Sequence, residues 1–66
     1  MKRRELIQYL NEIVRITYDN KASTGNRLSG TITAVGKLHV FFEPVDENEM
    51  PLLIENIKEV EKIKIK

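Results

Sequence analysis

From residue 14 onward the chain alternates. Val14, Ile16 and Tyr18 are separated by Arg15, Thr17 and Asp19. A period of two, rich in β-branched and aromatic side chains, is the pattern of a half-buried strand. The same kind of run returns at 28–35, 38–43, 50–55 and 60–65. Five short strands in a chain this small leave room for one mainly β domain and little else.

Each run has its own punctuation. Residues 19–27 are polar and contain Gly25, which makes them a loop longer than a tight hairpin needs, and such loops often carry binding residues. In the second run Leu28, Gly30, Ile32 and Ala34 are expected on one face, with Ser29, Thr31, Thr33 and Val35 on the other. Gly30 inside a strand signals a bend or a close backbone approach. A strong bend is what a small barrel requires. Gly36-Lys37 suits a type II′ hairpin turn. Leu38, Val40 and Phe42 then alternate with His39, Phe41 and Glu43, leaving open which set faces inward. Residues 44–49 form an acidic turn, and Pro51 suits an edge strand. Asn56-Ile57-Lys58 breaks the pattern before the fifth strand, where Ile63 and Ile65 share a face.

Ahead of the strands the period is near 3.6. Leu6, Leu10, Ile13 and Val14 stand at i, i+4, i+7 and i+8, and Ile7 and Tyr9 widen the apolar side, which predicts a helix over 1–12. Lys2, Arg3 and Arg4 at its start oppose the helix dipole. They either keep that end soluble or reach an anion such as phosphate. The expected architecture is a helix at 1–12 and a five-stranded, strongly bent barrel at 13–66.

Size now matters. Sixty-six residues bury only about 60% of the surface their unfolded chain exposes, and domains of this length usually lean on a disulfide, a metal or a partner subunit. There is no cysteine, and His39 is the single imidazole, which disfavours a zinc site. Self-association through strand edges is therefore expected. No run approaches the length of a membrane span, and Glu5, Gln8, Asn11 and Glu12 interrupt any signal-peptide core. The expectation is a cytoplasmic protein with no membrane contact.

Enzymatic chemistry finds little support. His39 lies on an alternating strand with no nucleophile elbow nearby. The run Asp46-Glu47-Asn48-Glu49 starts like a calcium loop, but Pro51 stands where the loop needs glycine and Ile57 where it needs glutamate. Gly36-Lys37 lacks the upstream glycine of a phosphate-binding loop and precedes a strand. No catalytic residue, cofactor or metal is expected.

Binding is better supported. Arg15, Lys21, Arg27 and Lys37 lie on or beside the loops of the first three strands. Tyr18, His39 and Phe41 are flat side chains able to stack on a base. An exposed Phe41 beside His39 equally suits a subunit contact. Net charge is +1, well short of a strongly basic nucleic-acid binder. Its distribution is uneven: residues 1–27 carry six basic and three acidic groups, 28–57 one and five, and 58–66 four and two.

The order of helix, five short strands, glycine within the second and a break before the fifth resembles the Sm-like small-barrel family, which includes the Hfq-type RNA chaperones. The resemblance runs through Val14-Arg15-Ile16-Thr17-Tyr18, Leu28-Ser29-Gly30-Thr31-Ile32 and Ile57-Lys58-Glu59-Val60, and covers nearly the whole chain. The Ile-Thr-Tyr and Gly-x-Ile elements and the stretch Ile54-Glu55-Asn56-Ile57-Lys58-Glu59-Val60 also look like the YolD-like small proteins. The Sm-like resemblance implies an SH3-like barrel that forms rings by pairing strand four of one subunit with strand five of the next. Residues 34–39 hold no acid, and Ile54-Glu55 stand where Hfq-type proteins carry Lys-His, so that family's RNA site is not implied intact. Three functions stay open: an oligomeric module for single-stranded RNA, a phage-type protein trapping a nucleotide second messenger at subunit interfaces, and a protein–protein adaptor.

Overall fold

The computed structural model describes residues 2–63. Helix α1 (Arg3–Ile7) is followed by β1 (Ile13–Tyr18), β2 (Asn26–Val35), β3 (His39–Pro44) and β4 (Met50–Leu53). A 3-10 turn (Ile54–Asn56) then leads into β5 (Ile57–Lys62). The strands form one antiparallel sheet in the order β4-β3-β2-β1-β5.

The mainly β reading holds, but the sheet is not a closed barrel. After the 3-10 turn the chain crosses to the free side of β1, with Ile16 opposite Val60 and Val14 opposite Lys62. Strands β4 and β5 therefore end at opposite edges, and no β4–β5 pairing exists among the described residues. The sheet instead curls around one core. Leu6, Val14, Ile16, Ile32, Val40, Phe42, Ile54 and Ile57 are buried in a single cluster, so residues from both ends of the sheet meet.

Curling depends on Gly30, which pairs with Val14 on one side and Pro44 on the other. A Cβ there would strike the Glu43 carbonyl oxygen and fall 2.7 Å from Pro44 Cα. A bulge between Ile32 and Ala34 adds to the bend. It also overturns the simple alternation expected of β2. Beyond the bulge Ala34 is exposed while Val35 packs against the core, because one extra residue swaps the faces.

Several boundaries move for local reasons. The helix spans five residues rather than twelve. Tyr9 N–H donates to Leu6 O (3.0 Å) and Leu10 N–H to Ile7 O (3.1 Å), which tightens the chain out of the α-helix. Asn11 then adopts φ 65 and donates its N–H to Ile32 O at 2.7 Å. Asparagine tolerates that left-handed conformation better than most residues. In consequence Leu10 and Ile13 stay 40% exposed, and Leu6 alone anchors the helix in the core.

Gly36 does not take a positive φ, so the expected type II′ turn is absent. Its N–H donates to His39 O at 2.7 Å, and Lys37 and Leu38 form the tip. Leu38 is 66% exposed, whereas Val40 and Phe42 are buried, which settles the inward face of the third strand. The break before β5 falls at 54–56, earlier than the 56–58 expected, and β5 starts at Ile57 rather than at residue 60. Ile63 is half-buried, while Ile65 lies outside the described residues.

Candidate anion-binding groove

The seven residues singled out as ligand-binding do not converge. Arg15 and Arg27 project from the outer face of β1 and β2, where Thr17 faces Arg27 on one side and Glu59 on the other. Arg15 forms a 2.8 Å ion pair with Glu61, with the two side chains 44% and 58% exposed. Two arginines beside two glutamates make this depression of about 80 Å³ locally neutral, a poor trap for an anion. Tyr18 turns inward and packs against the core, so its ring is no exposed stacking platform. His39 and Phe41 do share the outer face of β3, opposite Leu53 and Pro51.

Lys37 belongs to a different place. It stands on the rim of a groove of about 420 Å³, together with Lys2 and Arg3, over a floor of Leu38, Leu53 and Ile54. The Arg3 Nε donates to the Gly36 carbonyl at 2.9 Å, which brings the N-terminal segment against the β2–β3 turn. Ile54 N–H donates to Leu38 O at 2.9 Å, which fixes the 3-10 turn against the same tip. Glu55 completes the lining as its one carboxylate. Three cations around an apolar floor suit a compact anion with a hydrophobic or aromatic body.

Beyond Leu53 and Glu55 lies a second depression, which Lys21 lines with Asp19, Asn20 and Asn56. The Asp19 N–H donates to Asn56 O at 2.9 Å, docking the β1–β2 loop on the 3-10 turn. Lys37 and Lys21 thus flank that turn from opposite sides.

Part of this was visible beforehand. The basic run at the N-terminus reads as a possible phosphate contact, and Lys37 carries the right charge. Alternation groups Leu38 with Val40 and Phe42 but leaves their face open, and nothing in the sequence joins residue 3 to residue 36. Leu53, Ile54 and Glu55 read as an ordinary strand, and the 3-10 turn that presents them follows from how β5 docks on β1. Among the described residues no group of three or more His, Asp or Glu side chains is placed to hold a metal. No helix among them is long and apolar enough to cross a membrane. Comparison with protein-family models, with curated proteins and with solved structures gives no match.

Proposed function

We propose that the protein is a non-enzymatic, homo-oligomeric module that binds single-stranded nucleic acid through the groove between α1, the β2–β3 turn and the 3-10 turn. The observation that carries this reading is the Lys2, Arg3 and Lys37 rim over Leu38, Leu53 and Ile54. A phosphate takes the cations, and a base or ribose covers the apolar floor. The Sm-like resemblance agrees with a glycine bend in β2 and a short turn before the last strand.

Oligomerisation has its own support. By alternation from the bond of Ile63 N–H to Ile13 O, the backbone groups of Val60 and Lys62 turn outward along β5. By the same alternation from Ile54 N–H to Leu38 O, Leu53 turns its N–H and C=O outward along β4, and Pro51 offers a carbonyl alone. Two open edges of one sheet invite pairing between copies. That supplies the buried area that so short a chain lacks.

A second reading, capture of a nucleotide messenger, draws on the same groove and on the net charge of +1, which favours a compact ligand over a long polyanion. One titration separates the two. A short single-stranded RNA should bind at low salt and weaken as salt rises, with a slope of about 0.7 per neutralised phosphate. Absence of any RNA or DNA binding at low salt would remove the nucleic-acid reading.

A further inference from the structure

We infer that the groove is one half of a two-station site, and that each subunit takes a phosphate–nucleoside–phosphate unit, with the second phosphate at Lys21. This rests on the nucleic-acid reading above and extends it from a single phosphate contact to a defined length of strand.

The 3-10 turn lies between the two depressions. Two backbone bonds clamp it from either side: Ile54 N–H to Leu38 O, and Asp19 N–H to Asn56 O, both 2.9 Å. The first sets the turn against the tip bearing Lys37, and the second sets it against the loop bearing Lys21. The depressions on the two sides share Leu53 and Glu55 as a common wall, and the one at Lys21 measures about 350 Å³.

The loop that carries Lys21 is built to hold a shape. Asn20 Oδ1 accepts the N–H groups of Ala22 and Ser23, each at 2.8 Å, and Asn20 N–H donates to Ser23 O at 2.9 Å. Asp19, the acidic neighbour, is already engaged. Its Oδ1 accepts Gly25 N–H at 2.9 Å, and its Oδ2 lies 3.7 Å from Lys58 Nζ. Lys21 is exposed and forms no ion pair among the described residues, so its charge is available to a ligand.

Asp19 also lines the Lys21 depression, but its carboxylate faces Lys58, so the unpaired charges along the site run positive, negative, positive. The central Glu55 forms no ion pair among the described residues. A carboxylate there repels phosphate but accepts hydrogen bonds from a ribose hydroxyl or a base N–H. Leu53, 36% exposed, offers apolar surface beside it. The complementary occupant carries phosphates at its ends and hydroxyl or N–H donors between them. A strand segment with two successive phosphates meets that description.

Two probes test this on the full chain by NMR chemical-shift titration: uridine 5′-monophosphate and the 5′-phosphorylated uridine dinucleotide, which carries two phosphates. Lys37→Ala should weaken both at least fivefold. Lys21→Ala should weaken the dinucleotide at least fivefold and the mononucleotide less than twofold. If Lys21→Ala changes both equally or neither, while Lys37→Ala weakens both, the second station is wrong and the groove itself stands. If neither probe binds the unaltered chain, or Lys37→Ala is silent, the underlying nucleic-acid reading falls and the second station with it.

Discussion

Arg3 and Gly36 are joined by a hydrogen bond from the arginine Nε to the glycine carbonyl, 2.9 Å long. The bond crosses thirty-three positions and holds the rim of the groove together. Arg3→Ala should lower affinity for a nucleotide probe about tenfold, the scale of one lost charge-assisted contact. Arg3 is exposed, so the melting temperature should move little. Arg3→Lys should recover part of the affinity, because it restores charge but not the planar donor. Calorimetric titration alongside a thermal melt separates these effects.

Of the three glycines, Gly30 has the closest backbone neighbours. Gly30→Ala pushes a methyl group into the Glu43 carbonyl and Pro44 Cα, both backbone atoms that cannot swing away. We expect a loss of about 3 kcal/mol or more. For a domain this small each kcal/mol corresponds to roughly 4–8 °C in melting temperature. A variant melting within a few degrees of the parent would show that β2 and β3 separate there at little cost.

Phe41 and Phe42 are neighbours with opposite duties. Phe42 is fully buried and Phe41 is 38% exposed. Phe42→Ala should cost about 3–5 kcal/mol through the cavity it leaves. That approaches the whole stability of a 66-residue domain, on the order of 5 kcal/mol, so the variant should be largely unfolded by circular dichroism. Phe41→Ala should remain folded, with a loss of about 1 kcal/mol at most.

The Arg15–Glu61 pair joins β1 to β5 across the outer face. With both side chains well exposed, solvent screens most of the attraction. A double-mutant cycle on Arg15→Ala and Glu61→Ala should give a coupling of about 0.2–1 kcal/mol that shrinks with added salt. Coupling well above that range would mean that an assembled partner buries this face.

Lys62 directs its backbone N–H to the outside of β5, so Lys62→Pro removes an edge donor without breaking the ladder to β1. If copies associate through this edge, the variant should show a smaller native mass than the parent at equal concentration. Unchanged mass from an oligomeric parent would move the interface elsewhere.

Alternation marks which side chains a sheet buries, so the strands and much of the core could be read from the residues alone. Val14 and Ile16 were legible in this way, whereas the inward face of the third strand was not: Leu38 alternates with Val40 and Phe42 yet is 66% exposed, so the fold selects the buried set. Gly30 also announced a close approach before any partner was known. Alternation failed where the backbone departs from a regular pleat. The bulge near Thr33 exchanges Ala34 for Val35, and the i→i+3 bonds of Tyr9 and Leu10, followed by a left-handed Asn11, lead the chain out of the helix early enough to expose Leu10. Long-range folding joins β5 to β1 at the far edge and leaves the sheet open. It alone brought Arg3 to Gly36 and set Lys37 and Lys21 on either side of the Ile54–Asn56 turn. The physical reason is range: side-chain periodicity is a local property, whereas strand order and the groove arise from backbone bonds between residues far apart in sequence.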